Sequence, residues 1–197
     1  TSVRSVALAI VPAALQTLLT VLTLPPFGLS LLAFVAFIPI VYILHKGNRL
    51  RYAVLNSLVY GTLLGTYIYY GGGIYYSVPS GCIVGVFWGA CILVTGLAYR
   101  RSQHPLTLFL LPVLWTCCEV GFEYVDFGGY TIGIFVTSVP IFSQLAALGG
   151  PYLLCFTLYA INIALYFALS PAVDSPTRRF STALTLLLLC LMIGYGV

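Results

Sequence analysis

Charge is what this chain has least of. Of its 197 residues only 6% are charged, eight Lys or Arg and four Asp or Glu. A soluble domain carries about 25%. At this length no water-soluble core could bury a chain that is 61% hydrophobic, with mean hydropathy +1.07. A soluble enzyme or carrier is excluded, and the class is integral membrane protein. The net charge of +4 comes from a few short clusters of cations, so no nucleic-acid partner is expected. Histidine is scarce too, limited to His45 and His104. No H-E-x-x-H, no Walker loop and no Gly-rich nucleotide loop after a strand is present. The six cysteines are Cys82, Cys91, Cys117, Cys118, Cys155 and Cys190, and none has C-x-x-C spacing. No metal and no cofactor is expected. Vicinal Cys117 and Cys118 do not suit an ordinary disulfide. The cysteines read as small buried hydrophobes and fix no redox compartment.

What is present is a series of apolar runs. A transmembrane helix needs about 20 mainly apolar residues. Seven segments come close: Ser5–Leu24, Leu29–Leu44, Tyr52–Tyr70, Gly81–Tyr99, Pro105–Phe122, Gln144–Leu169 and Phe180–Gly196. The chain opens on Thr1, as a trimmed or partial product does. Its first run is too long for a signal-peptide core and lacks a small-x-small cleavage site, so it reads as a true span. Pro25-Pro26-Phe27-Gly28 makes a turn, because neither proline can donate a backbone hydrogen bond. The stretch Phe127–Phe142 is ambiguous, being apolar but short, with Pro140 and three glycines. Charge decides between the options. With seven spans, Arg4, Lys46, Arg49, Arg51, Arg100, Arg101, Arg178 and Arg179 all fall on one side. An eighth span at Phe127–Phe142 would put Arg178 and Arg179 on the other. The positive-inside rule counts Lys and Arg in short loops. The expectation is therefore an all-α polytopic membrane bundle of about seven spans. Its N-terminus is cytoplasmic, its C-terminus is outside, and Phe127–Phe142 is an interfacial or re-entrant segment on the outer face. No linker, low-complexity stretch or repeat divides the chain, so residues 1–197 are expected to form one transmembrane domain.

Polar groups gather between Pro105 and Phe167. Trp115 and Glu119 end one span; Glu123 and Asp126 follow; then come Phe127-Gly128-Gly129-Tyr130, and Gln144 before Gly149-Gly150 and Asn162. An ionisable group at a span end is costly unless paired or wetted, and is a functional candidate by default. No outer-face Lys or Arg is available to Glu119, so water, hydrogen bonds or protonation must accommodate it. It serves either as a structural hydrogen-bond acceptor for the outer loop or as part of a site. Gln16, Asn56, Gln144 and Asn162 read as interhelical hydrogen-bonders. Gly61 and Gly65, and Gly81, Gly85 and Gly89, stand four apart, where small residues let backbones approach. They serve packing within the chain or a dimer seam. Tyr67, Tyr69, Tyr70, Tyr75 and Tyr76 form an interfacial aromatic belt or the rim of a lipid entrance. Both histidines fall on the cytoplasmic side, so no Ser-His-Asp or Cys-His arrangement can be assembled with the outer cluster. No catalytic residue is assigned.

The order of these motifs resembles the bacterial apolipoprotein N-acyltransferases. Leu24-Pro25-Pro26-Phe27-Gly28 and Leu32 to Pro39 resemble that family's opening, and Gly61 and Gly65 its next glycines. Leu114-Trp115 with Glu119, Phe127-Gly128-Gly129-Tyr130, Gln144-Leu145-Ala146 with Gly149-Gly150, and Asn162 are similar to its W-x-x-x-E, G-G-F-P-W, Q-x-A-x-x-G-G and V-N-A signatures. The chain departs from the pattern where Gly121, Phe122 and Glu123 stand in place of an arginine. Thr131 and Ile132 likewise replace proline and tryptophan. The resemblance implies a bacterial inner-membrane location. It also implies a nitrilase-like outer domain with a Glu-Lys-Cys triad, which moves an acyl chain from phospholipid to a lipoprotein amino group. That domain is not in this sequence, and none of the cysteines here can be carried over as its nucleophile. The expected partners are membrane phospholipid and, through the nitrilase-like domain, a lipoprotein substrate. Two other readings stay open: a scaffold for a partner such as a polyprenyl-phosphate glycosyltransferase, and a small transporter. Transporters usually show paired broken helices or repeats, and none stands out in the sequence.

Overall fold

The computed structural model describes residues 3–46, 50–124, 133, 136 and 139–195, with side chains from Ile10 to Gly194. Among the described residues the chain is helical, with no strand. Its α-helices are α1 (Val3–Thr23), α2 (Ile38–His45), α3 (Leu50–Ile68), α4 (Ile74–Ser102), α5 (Leu110–Tyr124), α6 (Pro140–Ser143), α7 (Ala146–Leu169) and α8 (Ser175–Tyr195). Short 3₁₀ turns cover Ser30–Phe34, Tyr70–Gly72 and Pro105–Phe109.

Four of the described stretches are long and apolar enough to cross a membrane: Ile74–Ser102, Pro105–Tyr124, Ala146–Leu169 and Ser175–Gly194. Ile10–Thr23 and Ser30–His45 are shorter apolar stretches. The expected second span is broken: after the 3₁₀ turn Ser30–Phe34 the chain leaves helical geometry and resumes only at Ile38. The expected third span is continuous as α3, but Arg51, Asn56, Ser57, Thr62 and Thr66 dilute its apolar character. At about 1.5 Å per residue, α4 is longer than a hydrocarbon core of about 30 Å requires.

Contacts group the chain into two compact units. The first holds Thr1–Val21 and Ile38–Leu111. Here α3 and α4 meet backbone to backbone. A Cβ built on Gly61 would stand 2.3 Å from Gly85 Cα, and one on Gly65 2.4 Å from Gly81 Cα. No side chain fits at either distance, so glycine is what permits the approach. Gly89 is looser, its nearest neighbour being Leu58 Cδ2 at 3.5 Å. Beside this seam, buried Tyr60 stacks edge-on against Trp88 at 5.5 Å. Its hydroxyl lies 3.4 Å from that of Thr20 on α1.

The second unit holds Leu22–Phe37 and Pro112–Val197. Its long helix α7 is kinked near its start, where Gly150 has φ 67° and ψ −171°. Only glycine adopts that conformation readily, and Pro151 follows with no N–H to give. Gly133 lies close to the kink, since a Cβ there would stand 2.5 Å from the Pro151 carbonyl oxygen. Helix α8 packs along α7. Asp174 caps it, accepting a hydrogen bond from the Thr177 N–H at 3.1 Å, which satisfies one of the free donors of a helix start.

Candidate functional site

The second unit buries a carboxyl group. Trp115 and Glu119 stand four residues apart on α5, so they share a face. The Trp115 indole Nε1–H donates to Glu119 Oε1 at 2.7 Å. The Cys155 thiol, on α7, donates to Glu119 Oε2. Glu119 is 6% exposed and Cys155 0%. Each carboxyl oxygen thus accepts a hydrogen bond from the protein, one from its own helix and one from α7. This compensates for burial where water is excluded.

The same face of α7 continues through Tyr159 and Asn162, since residues 155, 159 and 162 are spaced one turn apart. The Tyr159 ring lies 6.2 Å from Trp115, edge-on, and 4.4 Å from Phe37. Asn162 is fully buried and repairs the break in the helix. Its Oδ1 accepts from the Phe37 N–H at 2.9 Å, and its Nδ2 donates to the carbonyls of Ala33 and Leu158, each at 2.8 Å. A broken helix leaves backbone groups that lipid cannot satisfy, at several kcal/mol each (about). One amide side chain supplies both the acceptor and the donor.

Of the residues singled out from sequence, Trp115 and Glu119 are in direct contact. The side chain of Gln144 is exposed, and no described hydrogen bond joins it to Glu119. Phe127, Gly128, Gly129 and Tyr130 lie outside the described residues. The segment expected to donate to Glu119 lies largely outside them too; among the described residues Trp115 and Cys155 donate to it. The glycines Gly61, Gly65, Gly81, Gly85 and Gly89 belong to the α3–α4 seam of the other unit. The view of the cysteines as buried hydrophobes holds for Cys91 and Cys155 but not for Cys82, Cys117 and Cys190, which are exposed. An apolar helix can point a small thiol toward lipid as readily as toward a neighbour, because neither direction offers water. Cys155 was not singled out from sequence, where it read as one of the buried cysteines; its contact with Glu119 joins residues 36 apart. Tyr70 and Tyr75 are largely exposed, and Tyr69 packs edge-on against Tyr76 at 6.0 Å.

Among the described residues, no group of three or more His, Cys, Asp or Glu gathers to hold a metal. A buried carboxyl that accepts from Trp115 on its own helix and from Cys155 on α7 ties α5 to α7. Apolar helices of spanning length and a carboxyl buried among them with protein donors define an integral membrane helical protein. The model of the apolipoprotein N-acyltransferase N-terminal domain matches residues 16–164, and the chain belongs to that family. Comparison with curated proteins and with solved structures gives no match.

Proposed function

We propose that this chain is the lipid-access and anchoring part of an N-acyltransferase-like protein of the bacterial inner membrane. It crosses the membrane seven times, with the N-terminus in the cytoplasm. It holds a nitrilase-like catalytic domain at the outer face, where that domain moves an acyl chain from phospholipid to a lipoprotein amino group. The family match over residues 16–164 carries this reading. The state of the buried thiol supports the division of labour. Thioester chemistry needs an accessible thiolate made available by a nearby base or charge. Cys155 does lie beside a carboxyl group, but it is fully buried and its hydrogen is committed to Glu119.

The test uses the purified chain, a labelled phospholipid and a search for a hydroxylamine-sensitive acyl-protein adduct. No adduct is expected. An adduct abolished by Cys155→Ala, or by replacing any other native cysteine, would overturn the assignment of catalysis to a separate domain.

A further inference from the structure

The second unit carries a groove of about 460 Å³ where the end of α7 meets the start of α8, lined by Ala168, Arg178, Arg179, Thr182, Ala183 and Leu186. Its lining combines charge with apolar surface. Two guanidinium groups and a hydroxyl stand near the start of α8, and alanine and leucine side chains form the rest. Among the described residues neither guanidinium takes part in a hydrogen bond or an ion pair. The nearest acid in sequence, Asp174, is occupied in capping α8 through the Thr177 N–H. The Thr182 hydroxyl donates to the Arg178 carbonyl, so its oxygen retains acceptor capacity only. Arg178, Arg179, Thr182, Ala183 and Leu186 are all exposed.

Two adjacent exposed cations lining a groove with alanine and leucine match an anion joined to a hydrocarbon tail. Arginine suits phosphate because its planar fork can donate two parallel hydrogen bonds. Basic pockets between spanning helices on the cytoplasmic side hold anionic lipid head groups. We infer that this groove binds one anionic phospholipid of the cytoplasmic leaflet, its phosphate between Arg178 and Arg179 and an acyl chain along Ala168, Ala183 and Leu186. The site is separate from the outer-face chemistry. It rests on the membrane placement proposed above and not on acyl transfer, so failure of this site and appearance of an acyl adduct are distinct outcomes.

Native mass spectrometry of the full chain in detergent tests the inference, with phosphatidylglycerol as the probe and phosphatidylcholine and inorganic phosphate as comparators. Phosphatidylglycerol should be retained at one site in preference to phosphatidylcholine, and inorganic phosphate should not compete at matched concentration. Each basic residue near an anionic lipid surface contributes roughly fivefold in affinity. The double variant Arg178→Gln/Arg179→Gln should therefore bind about 25-fold more weakly. Ala183→Trp, which fills the apolar part while sparing the cations, should also lose binding. Arg100→Gln/Arg101→Gln, which removes cations from α4, should leave it unchanged. Equal retention of the two lipids, competition by inorganic phosphate, undiminished binding in either groove variant, or an equal loss in the α4 variant would each overturn the proposal.

Discussion

At the residue scale, Glu119 shows why a carboxyl group can persist in so apolar a chain. Its oxygens accept from Trp115 and Cys155, so short-range hydrogen bonds offset the cost of its burial. Glu119→Ala leaves the indole N–H and the thiol of a buried cluster without that acceptor. Each unsatisfied buried donor costs about 1–3 kcal/mol, the weak thiol at the lower end. The variant should melt at a lower temperature in detergent than the parent. Glu119→Gln, which keeps an acceptor for Trp115, should recover part of the loss. If Glu119→Ala left the melting temperature unchanged, while abolishing acyl transfer in an assembly with its catalytic domain, the structural role would be wrong. The Trp115–Glu119 half of this cluster was legible in the sequence, because four-residue spacing on a helix means contact. Cys155 was not, since its pairing with α5 is a tertiary fact that spacing along one helix cannot carry.

At the element scale, the α3–α4 seam depends on having no side chain where backbones nearly touch. A Cβ on Gly85 would stand 2.8 Å from the Leu58 carbonyl oxygen, which belongs to the backbone and cannot rotate away. Gly85→Leu should therefore sharply lower folded yield in detergent. Gly121→Ala, on α5, where a Cβ meets nothing within 4 Å, should have little effect on it. Size-exclusion chromatography with a thermal melt reads both. Equal yields for Gly85→Leu and the parent would mean that the helices part without cost. Sequence spacing marked these glycines but left open whether they face a neighbour in the same chain or a second copy. The placement of Gly61 against Gly85 and of Gly65 against Gly81 supplies the intrachain partner. The break at residues 35–37 was hidden from sequence for the opposite reason. Leu29–Leu44 is apolar throughout, and hydropathy does not register a backbone interruption that Asn162, more than a hundred residues later, satisfies.

At the scale of the whole molecule, the scarcity of charge marks a membrane protein, and the distribution of the few charges is the basis of the orientation proposed for it. The helical class was legible from composition and run length. The number of crossings was less so, because length and hydropathy treat a broken span and a polar span alike as too weak. Four described stretches meet both criteria, whereas one-sidedness of all eight Lys and Arg requires seven crossings. These cations, and not hydropathy, are what the proposed orientation stands on. Reporter fusions along the chain in living cells test this most directly. Fusions after Arg51, Arg101 and Arg179 should report cytoplasm, and fusions after Ser77, Asp126 and Val197 should report the outer side. An external signal at Arg179 would contradict the seven-span arrangement, and with it the placement of a catalytic partner at the outer face.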